Sequence, residues 1–296
     1  MKIFDENIDS LSKRSSLLRL SAGVIAESLR NGNFKSAMKG QGIEFRDVRE
    51  YFPQDNVRSI DWNVTARMGK AFVRQYEEDK ELHVFFVLDR SLSMFAPSKG
   101  RSRIETAAET AALLLFAAEQ NNSSVGAVFF DNKITFSTMA RPGFHNAMTI
   151  FSRLCRVDEN IKPGSFLPNA LCGAEKLLKR RSLVFVISDF RVGGWKTSLA
   201  RLAQKNDLVA IRITDALDTQ LPEMGLASFV DVESGKSKKF PSSSKKFKKE
   251  WFEYARKQVD DWQSFCTHHG AFHLAVSTAD DCAVVLGRFF ASGAVR

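Results

Sequence analysis

The run Leu82–Leu88 (LHVFFVL) is apolar at nearly every position and is followed at once by Asp89. A half-exposed strand would alternate, so an unbroken run of this length requires a strand covered on both faces. Similar short apolar runs recur at Val125–Phe130, Leu183–Ile187, Leu208–Ile213 and Ala271–Val276. Between them lie stretches with helical spacing, at Ile104–Gln120, Phe144–Leu154, Pro168–Lys179 and Lys249–Cys266. Buried strands alternating with helices predict an α/β fold, a doubly wound and mostly parallel sheet joined by right-handed crossovers.

Upstream, Ser10–Leu29 reads as an amphipathic helix with Leu11, Leu17, Leu18, Val24, Ile25 and Leu29 on one stripe. Residues 43–79 are short and strand-like, broken by Pro53, Asn56 and Gly69, with aromatics set among charges. The expected organisation is an N-terminal helical segment (1–39), a small β-rich element (40–80) and an α/β domain (81–296). The longest greasy stretch, Ala107–Ala118, contains Glu109 and falls short of the roughly 20 residues a bilayer crossing needs. The N-terminus, with Asp5, Glu6 and Asp9, is unlike a signal peptide. Four scattered cysteines without a CxxC pair suit reduced thiols, so a cytoplasmic protein without a membrane span is expected.

Ligands of open α/β sheets bind beyond the carboxyl ends of the strands, so the residues just after each apolar run matter most. The first run leads into Asp89-Arg90-Ser91-Leu92-Ser93, and the third into Ser188-Asp189-Phe190; Gly164-Ser165 precedes the helix feeding the third strand. Alone, D-x-S-x-S is an ordinary loop and capping pattern. Placed after a buried strand, with a second Asp placed alike, it brings two carboxylates and three hydroxyls to one edge. Oxygen-only donors suit a hard divalent cation, Mg²⁺ or Mn²⁺. With few carboxylates the ion stays under-neutralised and recruits an external carboxylate, which describes a binding device and not an enzyme.

These residues resemble the metal-ion-dependent adhesion site of von Willebrand factor A domains. The resemblance implies metal ligands at Asp89, Ser91, Ser93, Ser165 and Asp189, with the hydroxyls on the ion, the two Asp often acting through water, and Ser165 at the position usually held by Thr. Longer motifs are more specific: Gly40-x-Gly42-x-Glu44-Phe45, Val48-Arg49-Glu50-Tyr51, Pro53-x-Asp55-x-Val57-Arg58-x-Ile60-Asp61-Trp62, Ala66-Arg67 and Val73-Arg74-x-Tyr76-Glu77-Glu78. Thr214-Asp215, Leu221-Pro222-x-x-Gly225 and Asp231-x-Glu233-x-Gly235 continue the series. In this order, over roughly residues 30–290, they resemble the bacterial family known as domain of unknown function 58. That resemblance implies a protein partner, a MoxR-type AAA+ ATPase or its client, in chaperone-like or complex-assembly work.

Composition decides between this reading and a rival. The chain has 43 Lys and Arg against 34 Asp and Glu, a formal charge of +9. Nine of those cations and only two acids lie within 236–257, so a surplus of seven sits in one segment and the remainder is close to balance. A nucleic-acid or anionic-surface binder would use this segment; the near-neutral remainder argues against a nucleic-acid fold. Cys266, His268, His269 and His273 match no common tetrahedral zinc spacing. No nucleophile elbow, Walker A or dinucleotide fingerprint is present.

Overall fold

The computed structural model describes residues 18–19, 22–23, 25–27, 42–79, 82–96, 100–156, 161–220, 226–230 and 237–292, with 42–46, 74–79, 226–230 and 237–240 as backbone alone. The chain separates into two compact units, residues 38–81 and the remainder.

The larger unit is built on a six-stranded sheet. Its strands are β3 (His83–Asp89), β4 (Ser124–Phe130), β5 (Ile134–Arg141), β6 (Leu183–Ser188), β7 (Asp207–Thr214) and β10 (Phe272–Ser277), in the spatial order β10-β7-β6-β3-β4-β5. All neighbouring pairs are parallel except β4–β5. Four of the five strands expected from continuous apolar runs are interior, and in β4 and β6 every residue is buried; the fifth, β10, is an edge strand and only partly buried. The antiparallel edge strand β5 was not expected. Its side chains are only partly buried, and its run ITFSTMAR lacks the apolar density that marks the others. Gly126 explains how β5 lies so close: a Cβ there would stand 2.6 Å from the Ala140 backbone nitrogen and 2.8 Å from the Phe85 ring.

Helices cover both faces, as a doubly wound sheet requires. On one side pack α2 (Arg103–Gln120), α3 (Phe144–Cys155) and α7 (Cys282–Ala291). Here Phe86 stacks on Phe185 at 5.6 Å, Phe290 of α7 meets Phe185 edge-on at 6.3 Å, and Phe116 meets Phe151 at 5.1 Å. On the other side α4 (Leu167–Leu177), α5 (Lys196–Lys205) and α6 (Lys245–His268) enclose Phe85, Val87, Val128, Val184 and Val186 around Trp262 and Cys266. Each such fully buried side chain contributes about 1.5–3 kcal/mol of transfer free energy. The capping box of α2 fixes its start: Ser102 Oγ accepts from Glu105 N, and the Glu105 carboxylate accepts from Ser102 N at 2.7 Å. Neither α5 nor α7 was expected from spacing; both are only ten residues long.

Of the expected N-terminal helix, the described residues are helical, with Ala22, Ile25 and Ala26 buried; the rest lies outside the described residues. Arg19 pairs with Glu119 at 3.1 Å, and Asn121 Nδ2 donates to Ala26 O at 2.7 Å. Two antiparallel strands, β8 (Leu226–Val230) and β9 (Ser237–Pro241), pair, and β9 occupies part of the basic segment 236–257, read as loop and helix start. No described helix is long and apolar enough to cross a membrane.

The smaller unit is an antiparallel pair, β1 (Gly42–Glu50) with β2 (Phe72–Asp79), bulged between Phe45 and Asp47. Between the strands sits a short helix, α1 (Trp62–Met68), which strand-like text did not announce. Asp61 is the residue that starts it: its carboxylate accepts from Asn63 N and Val64 N at 3.0 and 3.2 Å. Gly69 at φ 69° ends it, a left-handed position that glycine takes without strain.

Candidate metal centre at the carboxyl edge of the sheet

Strand order decides what meets at this edge. Because β3 lies between β4 and β6, Asp89 at the end of β3 is brought beside Ser188 and Asp189 at the end of β6. Asp89 is 1% exposed. Its Oδ1 accepts from Ser91 N at 2.9 Å and its Oδ2 from Ser188 Oγ at 2.6 Å. Ser91 and Ser93 are buried, the latter in the 3-10 turn Leu92–Phe95, and their hydroxyl oxygens are 3.2 Å apart. D-x-S-x-S is therefore a tight turn that folds two hydroxyls back over the strand end.

Asp189 is also buried. Its Oδ1 accepts from Arg191 N at 3.1 Å, while Oδ2 has no hydrogen-bond partner and lies 3.9 Å from Arg191 Nε. The next residue, Phe190, takes a left-handed φ of 52°, a conformation that costs a non-glycine residue about 1 kcal/mol or more. Its ring is held between Trp195 at 5.3 Å and Trp262 at 5.6 Å, and its N–H donates to Ser188 Oγ at 3.1 Å. Packing thus fixes the turn that leaves Asp189 facing inward. Ser188, read in the sequence only as part of a tripeptide, links the two carboxylate-bearing turns. Register alone reveals that role.

Ser165 enters from the loop ahead of α4. Phe166 N donates to Asp131 O at 2.9 Å, and Arg90 N donates to Phe130 O at 2.7 Å. The Ser165 loop and the Asp89 turn are therefore both tied to the carboxyl end of β4. Ser165 Oγ is buried without a hydrogen-bond partner.

Electrostatics at this edge are unfavourable without a cation. Burial pushes the Asp89 carboxyl up to about 7, and the neighbouring charge of Asp189 pushes it the same way. Donation from Ser188 and Ser91 only partly opposes this. Two buried carboxylates, one of them with an oxygen that lacks a hydrogen-bond partner, and the Ser165 hydroxyl of the neighbouring loop are oxygen donors of the kind a divalent cation takes. All five residues read from the sequence occur at this edge. Among the described residues no group of three or more His, Cys, Asp or Glu could hold a metal.

The other sequence candidates separate from this edge. Cys266 is buried, and burial alone drives its thiol up to about 12, which suits a core residue and not a metal ligand. His269 Nδ1 contacts Phe265 O at 2.9 Å, closing a helix end. In the smaller unit Arg49 grips Asp55 with two hydrogen bonds of 2.7 and 2.6 Å, and Lys70 pairs with Glu50 at 3.0 Å. Arg49, Asp55 and Glu50 are thus local clamps, while Trp62 is 66% exposed. The side chains of Glu44, Arg74, Glu77 and Glu78 lie outside the described residues, as do Gly40, 221–225 and 231–236.

Comparison with known proteins agrees with the motif series. The family described as protein of unknown function DUF58 matches residues 47–261. An uncharacterized protein of Mycobacterium bovis is 28% identical over 228 residues, 75% of this chain and 71% of its own length. Among solved structures, the chain is similar to an aerotolerance-related membrane protein from Bacteroides fragilis, at 17% identity and TM-score 0.48 over 70% of this chain and 96% of that one. It is also similar to the VWA domain of SpRpn10, at 10% identity and TM-score 0.41 over 70% and 93%. The ordered motifs and the match over residues 47–261 lead to one conclusion: the chain belongs to the DUF58 family.

Proposed function

We propose that this chain is a protein-interaction module whose contact with its partner depends on a divalent cation. The observation that carries the reading is the buried pair Asp89 and Asp189, with Asp189 Oδ2 and Ser165 Oγ left without hydrogen-bond partners. Asp89, Ser91, Ser93, Ser165 and Asp189 would hold Mg²⁺ or Mn²⁺, and the cation would supply a Lewis-acidic point for one carboxylate of a partner. The chain's own residues orient that point: Ser188 holds the Asp89 carboxylate, and the Phe190 turn holds Asp189.

A hydrolytic role is disfavoured by chemistry. Metal-dependent phosphoesterases clamp both attacking and leaving oxygens, commonly with two metals, and need more carboxylates than two. The partner in this reading is a cytoplasmic MoxR-type AAA+ ATPase or its client, as the family resemblance implies. The exposed Trp62 in the smaller unit is a second contact point for it.

The test is a Mg²⁺ titration of the wild type and Asp89→Ala, following thermal stability and retention of a MoxR-type ATPase with and without chelator. The wild type is expected to gain stability and retain the ATPase only with metal; identical behaviour of the two proteins defeats the reading. The rival, an anionic-surface binder acting through 236–257, predicts affinity that falls steeply with salt and ignores chelator. At the start of α6, Lys246 and Lys249 face Glu250 and Glu253 one turn on at 3.9 Å, which mutes the charge available to it.

A further inference from the structure

A cavity lies between α6 and the strands β7 and β10, with Arg191, which also contacts Asp189, in its wall. Its volume of about 550 Å³ is of the size that small organic ligands occupy. Trp251, Tyr254 and Val259 of α6 and Ala275 of β10 give it apolar walls, and Arg191 and Arg212 also line it. Trp251 and Val259 are half-buried and Tyr254 is exposed.

Arg212 is the unusual member. It sits on the interior strand β7 and is only 8% exposed. Its Nη1 donates to Gln258 O at 3.1 Å, and its guanidinium lies 5.8 Å from the centre of the Trp262 ring. No carboxylate among the described residues pairs with it. Burial holds it below the usual arginine range; Asp189 and Asp218 pull it up from a distance, and Arg191 pushes it down.

The two carboxylates in the same wall are already committed. Asp218 accepts from Arg103 and Arg191 and from Asp215 N. Asp215 accepts from Leu217 N at 2.8 Å and Thr278 Oγ1 at 2.7 Å. A buried cation without a direct counter-charge is costly, and the cost is recovered when a ligand supplies the anion.

We infer that this cavity binds a small organic acid, its carboxylate on Arg212 and its apolar or aromatic body against Trp251 and Tyr254. The assignment does not rest on the cation site, although Arg191 stands in the cavity wall and its N–H donates to Asp189.

Calorimetric titration of the full chain with 4-phenylbutyrate, and with its neutral amide, tests the assignment. The acid is expected to bind the wild type at least tenfold more tightly than the amide. Arg212→Gln removes the charge, and Ala255→Trp adds bulk to the cavity from α6 while keeping Arg212 in the chain; each is expected to weaken the acid at least tenfold. Should Arg212→Gln fail to fold, Ala255→Trp and the acid–amide ratio decide. Equal binding of acid and amide, no binding of either, or full binding by a folded Ala255→Trp protein overturns the inference. Chelator is expected to leave the titration unchanged, which separates a failure here from a failure at the cation site.

Discussion

The carboxyl edge of the sheet and the start of α6 both concentrate charge, yet they do so in opposite physical ways. At the start of α6, Lys246 and Lys249 meet acids four residues along the same helix, all well exposed to water. At the sheet edge, Asp89 meets Ser188, 99 residues away in sequence, and both are buried. Charges that are neighbours along the chain are screened and cheap to hold. Charges that the fold buries together are desolvated and need something to satisfy them. A run of like charges in sequence is therefore a poor guide to a site, and a buried, unsatisfied pair is a good one.

The largest expected effect tests the buried side of that contrast. Asp89 has its carboxyl raised from 3.8 to about 7 in the folded protein. The native state therefore holds more protons than the unfolded chain across that window, and stability falls as pH rises through it, levelling off above. A shift of that size corresponds to up to about 4 kcal/mol between pH 4 and pH 8 without metal. Urea unfolding in chelator should show this slope, Asp89→Asn should abolish it, and saturating Mg²⁺ at pH 8 should largely restore the wild type. A flat metal-free profile would break the comparison.

A smaller effect is expected at Ser188. Ser188→Ala removes the donor to Asp89 Oδ2 and the acceptor for Phe190 N. Leaving those groups unsatisfied in the interior costs about 2 kcal/mol at pH 8. Without the Ser188 hydrogen bond, which now favours the ionised form, the Asp89 carboxyl climbs further and the midpoint of the pH slope moves up. Urea midpoints measured across pH read both changes; an unmoved slope would show that Ser188 does not steer Asp89.

The smallest effect belongs to the exposed helix. Lys246→Ala and Lys249→Ala should each change stability by less than about 0.5 kcal/mol, as exposed pairs four residues apart usually do. A loss above about 1 kcal/mol would mean that this face is engaged by structure and would erase the contrast with the sheet edge.

Much of the candidate site was legible because its residues follow the most strongly patterned segments. Asp89, Ser91 and Ser93 trail the LHVFFVL run, and Asp189 trails LVFVIS, so placement after a buried strand singled them out. Ser188 and the Phe190 turn were hidden, since nothing local to SDF says that the serine bonds an aspartate on another strand. The strand β5 was hidden because an edge strand need not be apolar. The Asp218 cluster with Arg103 and Arg191 was hidden for the reason that its members come from three separate elements.

The sequence by itself determined the apolar-run strands, the longer helices, the α/β class and the sheet edge that carries the Asp and Ser side chains, because burial periodicity is a local property written in consecutive residues. Only the tertiary structure decided that β3 lies between β4 and β6, that Asp89 and Asp189 share one desolvated space, and that Arg212 lines a cavity without a carboxylate of its own. Those outcomes depend on pairing order and on burial. Both are set by contacts between residues far apart in the chain, and no local pattern records them.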